Sequence, residues 1–404
     1  MTSPAPATER EIREVRHLYV ALVVVLIAVG IQMVHSASLT TMPGRLESGF
    51  VWRHLAYVAL AGCVAWLASR LSPSVLQRWA MPTFGVLIAS LVAVLIPGVG
   101  ARVNGAARWL RFGGLSVQPS ELGRLILPVL ATTLVLRLRS QNRMNLRAMP
   151  VVLTPLVIVI PLVISEPDLG ATAFLTFGYV LPFFLGAWPL RYFVASFVLL
   201  IPAVGSVFLL RPYQIQRVTG FMSAWQDLSS APWQIRQSLF SLGSGGLTGK
   251  GIGAGWQKLS YLPEANTDFV FAVIGEELGL AGTLTVCVIW AGVFLTGCTL
   301  LNRLPRRSFG WILGMTLHTQ VVLQAVADIA VVTAMVPPKG VPHPFISYGG
   351  TNLLVSTAAV GLIIGLARNH SAVGNTAPDL MTAECQHLGV GMRPVSDGQP
   401  ISVR

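Results

Sequence analysis

Charged residues are scarce in this sequence. Lysine, arginine, aspartate and glutamate together make up 11% of the 404 residues, whereas about a quarter is usual in a soluble globular protein. A soluble chain of this length needs many more charges to cover its surface. The shortage therefore excludes a soluble enzyme. Because hydrophobic residues reach 53%, the composition also excludes an intrinsically disordered protein.

Cysteine and acidic residues are also few. The four cysteines form no C-x-x-C pair, so they support neither a metal site nor a disulfide. There are 16 acidic residues against 28 lysines and arginines, a net charge of +12. Such an excess can indicate nucleic-acid binding, but most of these arginines lie in short segments between apolar runs, as in cytoplasmic membrane loops. We expect a membrane lipid environment and no nucleic-acid partner.

Long apolar runs are abundant instead, and the mean hydropathy is +0.67. A helix needs ~20 mostly apolar residues to cross the hydrocarbon core. Ten runs qualify: 18–36, 51–69, 79–97, 120–138, 150–165, 169–187, 192–210, 269–300, 311–335 and 347–367. They are too long for the strands of a barrel. The sequence predicts an all-α polytopic membrane protein with about ten transmembrane helices.

The arginines predict how these helices are oriented. If the N-terminus is inside, the inner loops contain Arg70, Arg78, Arg137, Arg139, Arg143, Arg147, Arg191, Arg303, Arg306 and Arg307. By the positive-inside rule both termini are then cytoplasmic. We predict a cytoplasmic tail over 1–17, a membrane domain over 18–368 and a disordered cytoplasmic tail over 369–404. A large extracytoplasmic loop, 211–268, separates helices seven and eight.

A glycine-rich stretch in that loop carries candidate chemistry. Its glycines let backbone N–H groups approach an anion closely, and Lys250 and Lys258 add positive charge. Gly251 stands where a Walker A loop requires Ser or Thr, so that motif is excluded. A flexible loop is the alternative interpretation.

Two acids follow where the loop reaches the eighth apolar run. If the helix begins near Asn266 or Thr267, Thr267 caps it and Asp268 stabilises its first turn by ~0.5–1 kcal/mol. In the functional alternative, Asp268 is a general base beside a basic phosphate-binding loop. Spacing alone leaves both open. Three further acids lie at membrane depth and either pair helices or line a site: Glu276, Glu277 and Asp328.

Several motifs then occur in order along the membrane region: NGAARWL (104–110), QPSEL (118–122), PDLGATA (167–173), YQIQR (213–217), QSLFSLGSGGLTGKGIGAGWQK (237–258), YLPEANTDFVFAVIGEELG (261–279) and PFISYGGTNLL (344–354). Through them the chain resembles the SEDS family, the integral-membrane peptidoglycan glycosyltransferases that include FtsW, RodA and SpoVE. The YLPE and SYGG-Thr-Asn segments resemble the FtsW/SpoVE branch more than the elongation branch. The ten predicted helices match the family.

The resemblance implies a reaction at the outer face of the cytoplasmic (inner) membrane. The family polymerises lipid II: the 4-hydroxyl of GlcNAc attacks C1 of MurNAc, undecaprenyl diphosphate leaves and the anomeric centre inverts. Asp268 matches the proposed general base. A divalent cation, Mg²⁺ or Mn²⁺, is also implied, with Asp268 and Glu264 as candidate ligands. The implied substrate-binding residues are Arg108, Glu121, Arg124, Asp168, Arg217, Gln237, Lys250, Lys258, Glu264 and Ser347.

The resemblance also implies a class B penicillin-binding protein as a transpeptidase partner. Two other functions stay open: a lipid II flippase, and a non-enzymatic scaffold for a transpeptidase. Prolines interrupt several spans, as in transporters, but the charged residues cluster at one membrane face. Arg124 stands where lysine is usual in the family and Asp328 where asparagine is usual. The sequence predicts no definite role for Asp328, Lys339 or His343.

Overall fold

The computed structural model describes residues 9–37, 48–103, 106–112, 115–189, 191–192, 212–225, 227–259 and 262–387. Its α-helices in these ranges are α1 (Glu9–Ala37), α2 (Ser48–Ala68), α3 (Pro73–Leu95), α4 (Pro119–Ser140), α5 (Met149–Ser165), α6 (Leu169–Leu185), α7 (Pro212–Ala224), α8 (Trp233–Ser244), α9 (Val270–Leu301), α10 (Phe309–Val332) and α11 (Gly350–His387). The predicted helical membrane fold is confirmed.

Seven helices in the described ranges are long and apolar enough to cross a membrane. They are α1, α2, α3, α5 with the turn before it, α9, α10 and the first part of α11. Helix α6 is apolar but has 17 residues, and α4 carries charges near both of its ends. The predicted run 192–210 falls almost wholly outside the described residues, so the count of ten stays a prediction.

The predicted domain limits also stay predictions. Helix α11 extends to His387, beyond the predicted end of the membrane domain at 368. The predicted cytoplasmic N-terminal tail, 1–17, overlaps α1, which begins at Glu9. Residues 388–404 of the predicted C-terminal tail lie outside the described part of the chain.

The two ends of the helix bundle differ in the connections and in the charged residues that they carry. One end carries the α3–α4 and α5–α6 connections, the approach to α9 and the α10–α11 connection; we call it the sheet end. The opposite end carries most of the arginines of the short connections: Arg70, Arg78, Arg137, Arg139, Arg143, Arg147, Arg303, Arg306 and Arg307. This is the asymmetry that the positive-inside rule describes.

A small antiparallel sheet gives the sheet end its name, and the sequence analysis did not predict it. Strands β1 (Gly100–Val103), β2 (Ala106–Phe112) and β3 (Leu115–Val117) pair in the order β1-β2-β3. Ala106 and Leu110 of β2 are buried. Arg108 lies between them at a register shift of the sheet and donates to the carbonyls of Glu166 and Pro167 in the α5–α6 turn.

Helix α9 is broken at Gly279, which has a φ of 66° and a ψ of −163°. The break separates N–H groups from carbonyls that a continuous helix would join. The glycine-rich stretch supplies the missing partners through four backbone bonds: Lys250 N to Glu276 O (3.0 Å), Gly251 N to Glu277 O (3.0 Å), Leu280 N to Gly246 O (2.9 Å) and Ala281 N to Leu247 O (3.1 Å). The glycine-rich stretch therefore supplies the backbone hydrogen bonds that α9 loses at its break, and it stabilises the broken helix.

This role accounts for the glycines better than anion binding does. A methyl group at Gly245 would overlap the carbonyl of Gly275, and one at Gly249 would overlap the carbonyl of Glu277. Gly249 also has a φ of 80°, which side-chain-bearing residues rarely adopt. The close approach that the glycines permit is to the backbone of α9.

The two lysines of the stretch form ion pairs with α9. Lys250 Nζ lies 2.9 Å from Glu276 Oε1, and Lys258 Nζ lies 2.5 Å from Glu277 Oε1. Ser36 of α1 donates to Glu277 at 2.7 Å and accepts from Lys258 at 2.7 Å. Both glutamates are fully buried. For Glu276 and Glu277, the structure thus favours the pairing role over a site role.

Gly249→Ala should destabilise the protein. The left-handed backbone and the overlap with Glu277 O should together lower the free energy of unfolding by about 2 kcal/mol or more. The melting temperature in detergent measures this. Gly243→Ala is the matched control, because a methyl group there meets no atom within 4 Å. Equal melting temperatures for both variants would contradict the claim that close backbone contact at Gly249 stabilises α9.

Lys258→Met should also destabilise the protein, because it leaves the Glu277 carboxylate buried without its cation. Breaking such a pair costs about 3–5 kcal/mol. Adding Glu277→Gln should recover much of the melting temperature, since the second buried charge is then gone. If Lys258 served only to bind substrate, Lys258→Met would melt like the unchanged protein.

Candidate functional site

A cavity of about 560 Å³ opens at the sheet end. Its walls come from β2, the start of α4, the α5–α6 turn, α6, the start of α8, the residues before α9, α10, the α10–α11 connection and the start of α11. Six of the predicted site residues line it together: Arg108, Glu121, Arg124, Asp168, Glu264 and Asp268. Residues far apart in the sequence meet because successive helices return to the same end of the bundle.

Asp268 lies in a turn before α9. The helix begins at Val270, with Phe269 at the N-cap position. The prediction that Thr267 caps the helix and that Asp268 lies in its first turn is therefore wrong. Asp268 is half-buried, and its Oδ2 atom faces the backbone of Gly340, where a Cβ atom would lie 2.9 Å away.

The surroundings of Asp268 make its carboxyl group basic. Burial, followed by the negative charges of Glu264, Asp328 and Asp168, raises its pKa to about 7, while Arg108 acts in the opposite direction. Near neutral pH the group is therefore divided between its two protonation states. A carboxyl group with such a pKa, in a cavity, suits general acid–base chemistry.

Glu264 shapes the turn that carries Asp268. It is exposed and has a φ of 56°. Its Oε2 atom accepts a hydrogen bond from Thr267 Oγ1 at 3.0 Å, and its carbonyl accepts from the N–H groups of Thr267 and Phe269 at 3.1 and 3.2 Å. These bonds close the turn so that both acids line the cavity.

Arg108 and Asp168 form the opposite wall. The Arg108 guanidinium donates to the carbonyls of Glu166 and Pro167 at 2.8 and 2.7 Å, and it lies 3.6 Å from Asp168 Oδ2. Asp168 also caps α6, accepting from Ala171 N at 2.9 Å. Asp168 thus has a structural role as well as a place in the cavity.

Glu166 is an unpredicted acid beside this pair. It is fully buried, and neither carboxyl oxygen has a hydrogen-bond partner in the structure as described. Burial, with the nearby Asp168 charge, raises its pKa to about 8 despite the opposing effect of Arg108. Glu166 is therefore mostly neutral near pH 7, which lessens the cost of burying it.

Arg124 joins three helices at the cavity wall. Its guanidinium lies 2.7 Å from Glu121 Oε2, donates to Asn352 Oδ1 at 3.1 Å and donates to Gln324 Oε1. It also lies over the ring of Phe174. A lysine, the usual family residue here, has a compact charge without the planar fork that these simultaneous contacts use.

The other predicted site residues lie elsewhere. Lys250 and Lys258 pair with the glutamates of α9, and Gln237 is buried in α8. Ser347 is buried behind the cavity and binds the backbone. Arg217 belongs to α7, but its side chain is outside the described part of the structure. Substrate roles for these five residues stay predictions, without support from the shape of the cavity.

Several lining residues escaped the sequence analysis as site residues. Gln118, which donates to Asp168 Oδ2 at 3.3 Å, lies in the QPSEL motif, so its position was a usable signal. Lys339 also lines the cavity; burial lowers its pKa, while Asp168 acts in the opposite direction. Gln324 and Asn352 are polar residues inside apolar runs, and that contrast was the available signal.

An apolar groove of about 540 Å³ adjoins the cavity. Arg108, Asp168 and Lys339 line both spaces. The rest of the groove is mostly aliphatic or aromatic, with side chains from α6 and α10. A polar chamber and an apolar groove thus meet at charged residues, an arrangement that suits an amphipathic ligand.

Comparisons with known proteins agree with this architecture. Residues 16–372 match the FtsW/RodA/SpoVE family profile, described as cell cycle protein. The chain is 34% identical to the probable peptidoglycan glycosyltransferase FtsW of Trichlorobacter lovleyi, over 86% of this chain and 91% of that protein. It is 35% identical to the FtsW of the same description from Coxiella burnetii, over 85% and 93%.

Solved structures show the same fold. A chain from a structure described as the structural coordination of polymerization and crosslinking by a peptidoglycan synthase complex matches with a TM-score of 0.70 at 24% identity, over 87% of this chain and 97% of that one. The rod shape determining protein RodA of Thermus thermophilus matches with a TM-score of 0.63 at 23% identity, over 87% and 96%. The chain therefore belongs to the FtsW/RodA/SpoVE family of multi-pass membrane proteins, and its relatives support the FtsW branch.

Proposed function

We propose that this chain is a peptidoglycan glycosyltransferase that polymerises lipid II, a disaccharide-pentapeptide carried on undecaprenyl diphosphate. The observation that carries the proposal is Asp268, a carboxyl group with a pKa of about 7 in a cavity that Arg108 and Lys339 also line. Relatives that share about a third of its sequence bear the name of this activity.

The proposed site faces the outside of the cytoplasmic membrane. The arginines at the opposite end of the bundle favour a cytoplasmic location for that end and for both termini. The loop 211–268 is then extracytoplasmic. The charged side chains of the cavity lie together at the sheet end, which favours chemistry at the membrane surface over transport along a path through the bilayer.

In the proposed reaction Asp268 acts as the general base. Its carboxylate accepts the proton of the acceptor 4-hydroxyl of GlcNAc while that oxygen forms a bond to C1 of MurNAc. The bond from C1 to the diphosphate oxygen breaks, its electron pair leaves with undecaprenyl diphosphate, and C1 inverts. Glu264 and Asp168 help to keep Asp268 basic, and Arg108 and Lys339 offset the charge of the leaving diphosphate.

A divalent cation fits this group of side chains. Among the described residues, no three His, Cys, Asp or Glu side chains form a metal site, but Mg²⁺ commonly binds through one or two carboxylates together with substrate phosphates. Glu264 and Asp268 would hold Mg²⁺ or Mn²⁺ here. The cation would supply further positive charge for the diphosphate.

The apolar groove suits the lipid part of the substrate. Its aliphatic and aromatic lining would cover the polyprenyl chain near the diphosphate, while the polar cavity holds the sugars. A class B penicillin-binding protein is the proposed partner, since a structural neighbour of this chain is part of a synthase complex that couples polymerization to crosslinking.

Asp268→Asn should abolish polymerisation of labelled lipid II by the purified protein with its transpeptidase partner. The amide cannot accept the hydroxyl proton, so we expect the rate to fall by at least about 100-fold while the melting temperature is kept. Asp227→Asn is the matched control, because Asp227 is an exposed acid that does not line the cavity. Undiminished polymer from Asp268→Asn would remove Asp268 as the base.

Chelation of divalent cations should also stop the reaction. With excess EDTA we expect at least about a tenfold lower initial rate, and Mg²⁺ or Mn²⁺ should restore it. EDTA saturated beforehand with Mg²⁺ controls for effects of the chelator itself. A rate that EDTA leaves unchanged in metal-free buffer would exclude the proposed cation.

A further inference from the structure

Three buried side chains form a hydrogen-bonded row behind Asp268. Asp328 comes from α10, His343 from the α10–α11 connection and Trp290 from α9. Asp328 Oδ2 lies 2.6 Å from His343 Nδ1, and Trp290 Nε1 donates to His343 Nε2 at 2.8 Å. None of the three lines the cavity, and each is at most 4% exposed.

The bonds determine the protonation of the histidine. The indole N–H of Trp290 can only donate, so His343 Nε2 must be an unprotonated acceptor. The ring hydrogen is then on Nδ1, from where it is donated to Asp328 Oδ2. The ring is also stacked against Phe271, with 6.1 Å between ring centroids. His343 is therefore held at both ring nitrogens and on one face.

The backbone of His343 connects this row to the segment that carries Asp268. His343 N donates to Ser347 Oγ at 2.7 Å, and Ser347 Oγ donates to the carbonyl of Thr267. A second bond, from Tyr348 N to Asn266 O at 2.8 Å, lies beside it. The α10–α11 connection is thus hydrogen-bonded to the backbone immediately before Asp268.

The same connection also passes close to the Asp268 carboxylate. Gly340, three residues before His343, lies so close that a Cβ atom there would be 2.9 Å from Asp268 Oδ2. Gln324 holds the intervening backbone by donating to Pro342 O at 2.7 Å. A shift of His343 would therefore disturb both the backbone before Asp268 and the backbone at Gly340 that lies close to its carboxylate.

We infer that Asp328, His343 and Trp290 are positioning residues that hold the α10–α11 connection so that Asp268 keeps its reactive position. The inference rests on the proposed function, in which Asp268 is the base. The three residues act through Thr267 and Gly340, and they touch no substrate. Their contribution should therefore appear in kcat more than in KM.

His343→Leu tests the inference, because it removes both ring bonds and leaves the cavity lining unchanged. We expect kcat for lipid II polymerisation to fall by at least about tenfold, with KM within about twofold, since small displacements of a catalytic group are costly. Trp290→Phe, which removes only the N–H donor, should lower kcat in the same direction. Asp328→Asn should stay within about threefold of the unchanged protein, because the amide oxygen can accept the same N–H.

A triple variant separates positioning from stability. Asp328→Leu/His343→Leu/Trp290→Phe replaces all three buried polar partners of the row by apolar groups and leaves no donor unsatisfied, a change that is often neutral for stability. We expect a melting temperature close to that of the unchanged protein and a kcat as low as in His343→Leu. Recovery of the unchanged kcat would overturn the inference. Thr316→Val is the control on α10, since among the described residues the Thr316 hydroxyl bonds only within its own helix, to Ile312 O.

Hydrogen exchange tests the positioning without any substrate. In His343→Leu the backbone amides of 340–348 and 262–269 should exchange faster together, since the bonds through Ser347 and Tyr348 join them. If the unchanged protein does not polymerise lipid II but both segments respond, the proposed function fails and the positioning role stands. If it polymerises lipid II and neither segment responds in the variant, the positioning role is overturned and the proposed function stands.

Discussion

Backbone polar groups at membrane depth must find partners within the protein, because lipid offers none. The break of α9 at Gly279 exposes such groups, and the glycine-rich stretch satisfies them with its own backbone while two buried ion pairs hold it there. The chain from this stretch to Val270 is then a short loop with both ends fixed on α9. Asp268 lies in that loop, so its range of positions is narrow before any side chain of the cavity acts on it.

The charged side chains near the cavity differ in how far neighbouring residues already neutralise them or occupy them with hydrogen bonds. Arg124 is neutralised by Glu121 and held by two amides, and Asp168 caps a helix. Asp268 differs from them, because no hydrogen bond in the described part of the chain ties down its carboxylate, and neighbouring negative charges make it more basic. A group that is positioned yet not neutralised retains the capacity to take up a proton.

The sequence predicted the meeting of Arg108, Asp168 and Asp268 because each lies in a motif at the same end of an apolar run. Because successive membrane helices run in opposite directions, every second connection lies at the same end of the bundle, whatever the details of helix packing. The same reasoning could not place Lys250 and Lys258, because their pairing with Glu276 and Glu277 depends on how the glycine-rich stretch packs beside α9. It also could not predict the sheet, since the short strands leave little periodicity to detect.

Resemblance to a family had a similar limit. It marked Ser347 and Gln237 as binding residues; both are buried, and neither is among the described residues that line the cavity, so their binding roles stay predictions. A motif records that a position matters for the fold or for the chemistry without distinguishing the two. The structure adds a structural role for Ser347 through its bonds to His343 and Thr267, which depend on three-dimensional packing.

The arrangement around Arg124 has a consequence for biosynthesis. Its amide partners Gln324 and Asn352 follow 200 and 228 positions later in the chain, so they have not been translated when α4 leaves the ribosome. Glu121, three residues earlier on the same helix, is already present. The nascent α4 can therefore enter the bilayer with its guanidinium neutralised by its own neighbour, and the later helices take over part of that contact when they insert.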